Sequence, residues 1–125
     1  MKKILIIDDD EQIRTLLTQM LVKEGFETRD APDGRKGLEL YRESRADIVI
    51  TDILMPEREG LETIMELKKM DPEVKIIAIS GGGMINAEFY LQFAKEFGAL
   101  RTIQKPFGRK EILETIRKLI PNEEI

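Results

Sequence analysis

Five short apolar runs, each followed by a stretch with helical spacing, leave this chain few ways to fold. The runs lie at about 3–8, 26–31, 46–51, 74–79 and 99–104. Near-continuous apolar segments of this length suit strands covered on both faces, because alternate side chains point to opposite faces and both faces must be apolar. Between the runs the spacing changes to that of a helix. Ile13, Leu16, Leu17, Met20 and Leu21 form one stripe, and Gly25 stands where a glycine closes such a helix. Leu61, Ile64, Met65 and Leu67 predict a helix over about 60–70, closed by Asp71-Pro72. Phe89, Phe93 and Phe97 share one face of a helix at about 84–97 that ends at Gly98. Ile112, Leu113, Ile116, Leu119 and Ile120 make the last stripe, stopped by Pro121. The faintest helix is 34–43, where Gly34 and Gly37 lower the propensity.

Strict strand-helix alternation with short connections predicts an α/β fold of three layers, α-β-α, around a five-stranded parallel sheet. Right-handed crossovers make the order 2-1-3-4-5, the flavodoxin-like (βα)5 arrangement, the leading candidate. No linker, repeat or low-complexity segment interrupts the pattern. Residues 1–125 therefore read as a single domain, long enough for a real core.

Composition narrows the chemistry. With no cysteine there is neither a disulfide nor a thiolate metal site, and with no histidine there is no imidazole base, ligand or phosphoryl acceptor. Catalysis has to come from carboxylates, hydroxyls, Lys or Arg. A net charge of −4 gives no reason to expect direct nucleic-acid binding. No apolar stretch approaches the roughly 20 residues of a membrane span. The apolar run after Met1-Lys2-Lys3 is too short for a signal peptide, so a cytoplasmic protein is expected.

Four of the strand runs end in a polar residue. Ile4–Ile7 leads into Asp8-Asp9-Asp10, Ile48–Thr51 into Asp52, Ile76–Ile79 into Ser80, and Leu100–Gln104 into Lys105. In the predicted order the first and third strands are neighbours at the switch point, where ligands bind outside the carboxyl ends. Asp8, Asp9 and Asp52 then crowd together, and close carboxylates resist joint ionisation unless a hard cation such as Mg²⁺ relieves them. Asp10 and Glu11 read more simply as a solvated helix start favoured by the helix dipole. As a nucleophile Asp52 would attack phosphorus and form an aspartyl phosphate, with Ser80 and Lys105 binding the phosphoryl oxygens. Gly81-Gly82-Gly83 is either a backbone cradle for phosphate or a plain loop, and it lacks the ending of a Walker loop.

These segments, from Ile4 to Glu11, Asp47 to Pro56 and Gly98 to Phe107, with Gly60 at the start of the third helix, resemble the receiver domain of bacterial two-component response regulators along the whole chain. The resemblance implies that Asp52 is the phosphoacceptor, supplied by a sensor histidine kinase or a histidine phosphotransfer protein. It implies that Asp9, Asp52 and the backbone carbonyl of Leu54 hold Mg²⁺ while Asp8 assists through water. It makes Lys105, before a cis Lys105-Pro106 bond, and Ser80 the phosphoryl-binding pair. Phosphorylation would then shift the fourth helix, fifth strand and fifth helix to an active state. The switch positions are Ser80 and Thr102; relatives commonly carry an aromatic residue where this chain has Thr102. Leu54 is apolar where a polar side chain could position water, which implies slow hydrolysis of the aspartyl phosphate.

The expected activity is a signalling switch, not an enzyme beyond its own phosphorylation and dephosphorylation. A Mg²⁺-dependent phosphatase or phosphotransferase of the haloacid-dehalogenase kind would need an Asp at position 54. A flavodoxin would bring a flavin to Asp8 and Asp9, with no Trp to stack on it. A receiver-like binding module that accepts no phosphate finds no support, since all the site residues are present. The partner is either an effector protein or an effector domain outside this chain, which ends soon after the last helix, and the switch acts as a monomer or a phosphorylation-promoted dimer. Arg101, Arg109, Lys110, Arg117 and Lys118 read as a solvated helix face.

Overall fold

The computed structural model describes residues 2–53, 59–80 and 87–120, without the side chains of 59 and 87–91. Among the described residues ten elements alternate: β1 (Lys3–Ile7), α1 (Glu11–Lys23), β2 (Glu27–Ala31), α2 (Gly34–Glu43), β3 (Ile48–Asp52), α3 (Glu59–Met70), β4 (Ile76–Ser80), α4 (Ala87–Phe97), β5 (Arg101–Gln104) and α5 (Arg109–Leu119). The strands form one sheet in the order β2-β1-β3-β4-β5, and every neighbouring pair is parallel. This is the predicted topology. Strands β3, β4 and β5 start about two residues later than the apolar runs suggest, with Val74 and Ala99 buried just ahead of β4 and β5.

Alternation along the strands builds the two outer layers. Leu5, Ile7, Val49, Ile76 and Ala78 face one side and pack with Tyr41 of α2, Ile64 and Leu67 of α3, and Ala94 of α4. Ile4, Ile6, Ile48, Ile50, Ile77, Ile79 and Ile103 face the other and pack with Leu17 and Leu21 of α1 and Ile112 and Ile116 of α5. Each Val, Leu or Ile side chain among these contributes about 1.5–3 kcal/mol when fully buried. The helical stripes are narrower than their sequence spacing: Leu16 is 47% exposed and Met65 41%.

Helix α2 forms despite its glycines. Asp33 caps it, its carboxylate accepting from the Lys36 N–H at 2.8 Å. Gly37 faces Ile7 of β1 so closely that a Cβ there would lie 2.7 Å from Ile7 Cγ1. The residue that weakens the helix is the one that lets it sit on the sheet. Among the described residues no helix is long and apolar enough to cross a membrane.

Candidate functional site

The sheet places one polar residue at the carboxyl end of each of four strands. Asp52 and Ser80 are the last residues of β3 and β4, while Asp8 and Lys105 directly follow β1 and β5. Register brings them level, with Ile7 beside Thr51, Asp52 beside Ile79, and Ser80 beside Gln104. Asp8, Asp52 and Ser80 are buried, and Asp9 is exposed.

Lys105 closes the group. Its ammonium lies 3.2 Å from Asp8 Oδ2 and 3.3 Å from Asp52 Oδ2, with the side chain 17% exposed. The Lys105 N–H donates to the Ser80 carbonyl at 2.7 Å, which ties the residue to the end of β4, and the Lys105-Pro106 bond is cis. The Asp8 carboxylate also accepts from the Asp10 N–H at 2.9 Å, and Asp10 in turn caps α1 through the Gln12 N–H. Asp8 Oδ2 has the ammonium nearby but no hydrogen bond, and Ser80 Oγ has no hydrogen-bond partner among the described residues. Native proteins seldom leave a buried hydroxyl unpaired without a functional reason.

Electrostatics follow from burial. Loss of water raises the Asp8 carboxyl to about 6; the Asp10 N–H opposes this, and the neighbouring Asp52 charge adds to it. Burial pulls the Lys105 ammonium downward, but the charges of Asp52 and Asp8 outweigh it and hold it above its ordinary value. Asp8, Asp9 and Asp52 each offer a carboxylate oxygen within 4.8 Å of the others. Three hard oxygen donors, one of them on an exposed residue that leaves room for waters, fit a magnesium ion.

Gly60, at the start of α3, lies against the end of β3. A Cβ there would fall 2.5 Å from the Asp52 carbonyl oxygen and 2.7 Å from the Ile53 carbonyl carbon. Thr102 is half-buried on β5 beside Ala78. Leu54, the run Gly81-Gly82-Gly83 and residues 121–125 lie outside the described residues, as does the side chain of Phe89. Of the basic set, Arg109 and Arg117 both pair with Glu24 at the end of α1.

The pattern of the response regulator receiver domain matches residues 4–117. This chain belongs to that family. The receiver is 34% identical over 120 residues to the sporulation initiation phosphotransferase F of Bacillus subtilis, spanning 96% of this chain and 94% of the relative. It is 37% identical over 119 residues to the chemotaxis protein CheY of Thermotoga maritima, covering 94% and 97%. A CheY-like receiver from Methanospirillum hungatei superposes with a TM-score of 0.87 at 32% identity, covering 99% of this chain and 98% of that one. Family membership makes the receiver a phosphoryl acceptor of two-component signalling, which works between kinases or phosphotransfer proteins and effectors.

Sequence spacing named Asp8, Asp9, Asp52, Ser80 and Lys105, and all five meet at one rim. It missed Arg14, which donates to the Asp8 carbonyl at 2.9 Å. One signal was present: a cation near a helix N-terminus opposes the dipole, so it needs a partner.

Proposed function

We propose that Asp52 accepts a phosphoryl group from a phosphohistidine of a sensor kinase or phosphotransfer protein, with Mg²⁺ required. An Asp52 carboxylate oxygen attacks phosphorus, and the bond from phosphorus to the imidazole nitrogen breaks. The imidazole leaves with the electron pair and takes up a proton, and the product is an acyl phosphate. Lys105, 3.3 Å from Asp52 Oδ2, supplies a fixed positive charge for the phosphoryl oxygens. Ser80 Oγ, buried and unpaired, is available to donate to another of them. Asp8, Asp9, Asp52 and the Leu54 carbonyl would hold the metal. When bound, Mg²⁺ neutralises charge that builds on the phosphoryl oxygens.

The observation that carries this reading is the ammonium of Lys105 set between two buried carboxylates beside an unsatisfied hydroxyl. The protein's chemistry is confined to its own acyl phosphate. Occupation of Ser80 and Lys105 by phosphoryl oxygens draws on groups at the ends of β4 and β5, so the population shifts along α4, β5 and α5. Thr102, half-buried on β5, is the residue there that answers Ser80 without an aromatic ring.

Intact mass after treatment with acetyl phosphate tests the proposal. Wild type gains one phosphoryl group with Mg²⁺ present and none in EDTA, and Asp52→Asn gains none. A wild type that stays unmodified, or an Asp52→Asn variant modified equally, would overturn it.

A further inference from the structure

Asp9 is the least anchored member of the carboxylate cluster. Its side chain is exposed and takes part in no hydrogen bond or ion pair among the described residues. Its place beside Asp8 and Asp52 therefore depends on how firmly its backbone is held.

The peptide on each side of Asp8 is tied to β2, but by different means. The Asp8 N–H donates directly to the Ala31 carbonyl at 3.1 Å. The Asp8 carbonyl oxygen, which belongs to the Asp8–Asp9 peptide, accepts from Arg14 Nη1 at 2.9 Å. Arg14 is itself fixed by a bond from Nε to Asp30 Oδ2 at 2.9 Å, and its side chain is only 16% exposed. A peptide group is planar, so its oxygen cannot be clamped without also orienting the nitrogen and Cα of the next residue. Two bonds from one rigid guanidinium thus run from β2 to the plane that carries Asp9.

We propose that Arg14 is a positioning residue for divalent-cation binding: it clamps the Asp8–Asp9 peptide to Asp30 and so keeps the Asp9 carboxylate in range of Asp8 and Asp52. The inference rests on the Mg²⁺-dependent reading given above. Coulomb's law alone assigns Arg14 the opposite effect, because a cation near three carboxylates repels a divalent ion. The sign of the change on removing Arg14 therefore separates the two roles.

The test is calorimetric titration of the full chain with MgCl2 at fixed pH and ionic strength. Arg14→Ala is expected to raise the Mg²⁺ Kd about tenfold, the scale seen when an outer partner of a metal ligand is lost. Arg14→Lys keeps the charge but loses the two-pronged bridge, and it is expected to weaken binding as well. A Kd equal to or below that of wild type in Arg14→Ala overturns the proposal; if the alanine variant fails to fold, the same result in Arg14→Lys overturns it. At saturating Mg²⁺ the rate of modification by acetyl phosphate should return to that of wild type. A rate that stays low at saturation overturns a role confined to cation binding. If wild type itself binds no Mg²⁺, the underlying function fails and this inference with it; binding by wild type with unaltered variants sinks only the role of Arg14.

Discussion

Burial makes Asp8 the residue through which the site acts on stability. Its carboxyl is raised from 3.8 to about 6, so between those values the folded chain holds a proton that the unfolded chain has released. Stability falls as pH rises through that window and stays reduced above it. Asp8→Asn removes the charge yet keeps an oxygen for the Asp10 N–H. In EDTA it should stabilise the receiver at pH 7.5 by on the order of 1–3 kcal/mol, and by roughly a third as much at pH 4.5. Urea unfolding at the two pH values checks this; a gain of the same size at both would show that desolvated charge is not the cause. The site residues were legible because Asp8, Asp52, Ser80 and Lys105 each stand at the end of a strand, with Asp9 next in line, where side-chain type and topology together fix a location. Arg14 and Asp30 were not, since a cation and a carboxylate on exposed-looking segments resemble ordinary surface until the fold brings them within 2.9 Å.

At the scale of elements, the close approach of α3 to β3 governs the rim. Gly60 leaves no space for a Cβ against the backbone of Asp52 and Ile53, and backbone cannot step aside as a flexible side chain can. Gly60→Ala should cost about 1–3 kcal/mol as overpacking and slow phosphorylation by displacing Asp52. Gly108→Ala is the control: open space surrounds that position, and the change should cost no more than about 1 kcal/mol, the penalty of alanine at the α5 N-cap. Chemical denaturation and acetyl phosphate labelling of both variants decide it, and equal effects would contradict the steric account. Element types and order were readable from periodicity alone; how far each face is buried was not. Strand β2, expected as one of the buried apolar runs, is not one: only Ala31 is buried and Glu27 and Asp30 are exposed, because the strand lies at the sheet edge. The contact of the Tyr41 hydroxyl with Asp71 at 2.7 Å joins α2 to the turn after α3 across 30 positions, a distance no local spacing can reveal.

For the whole molecule, the site is a point where most of the sheet converges. It takes carboxylates from the ends of β1 and β3, a hydroxyl from β4 and an ammonium from beyond β5. Strands β1, β3 and β4 also supply both core layers, so the cluster cannot assemble unless the two layers are packed. A cation that binds only the assembled cluster stabilises the global fold by about 2.7 kcal/mol at a hundredfold excess over its Kd. Amides of β1, β3 and β4 that exchange only through global unfolding should each gain that same increment when Mg²⁺ is added. Amides of the solvent-facing β2, which can open locally, should gain less. Hydrogen exchange with and without Mg²⁺ measures this strand by strand. Protection confined to the turn at residues 8–10 would mean that the carboxylates form without the rest of the sheet, and the link from core packing to site assembly would fail.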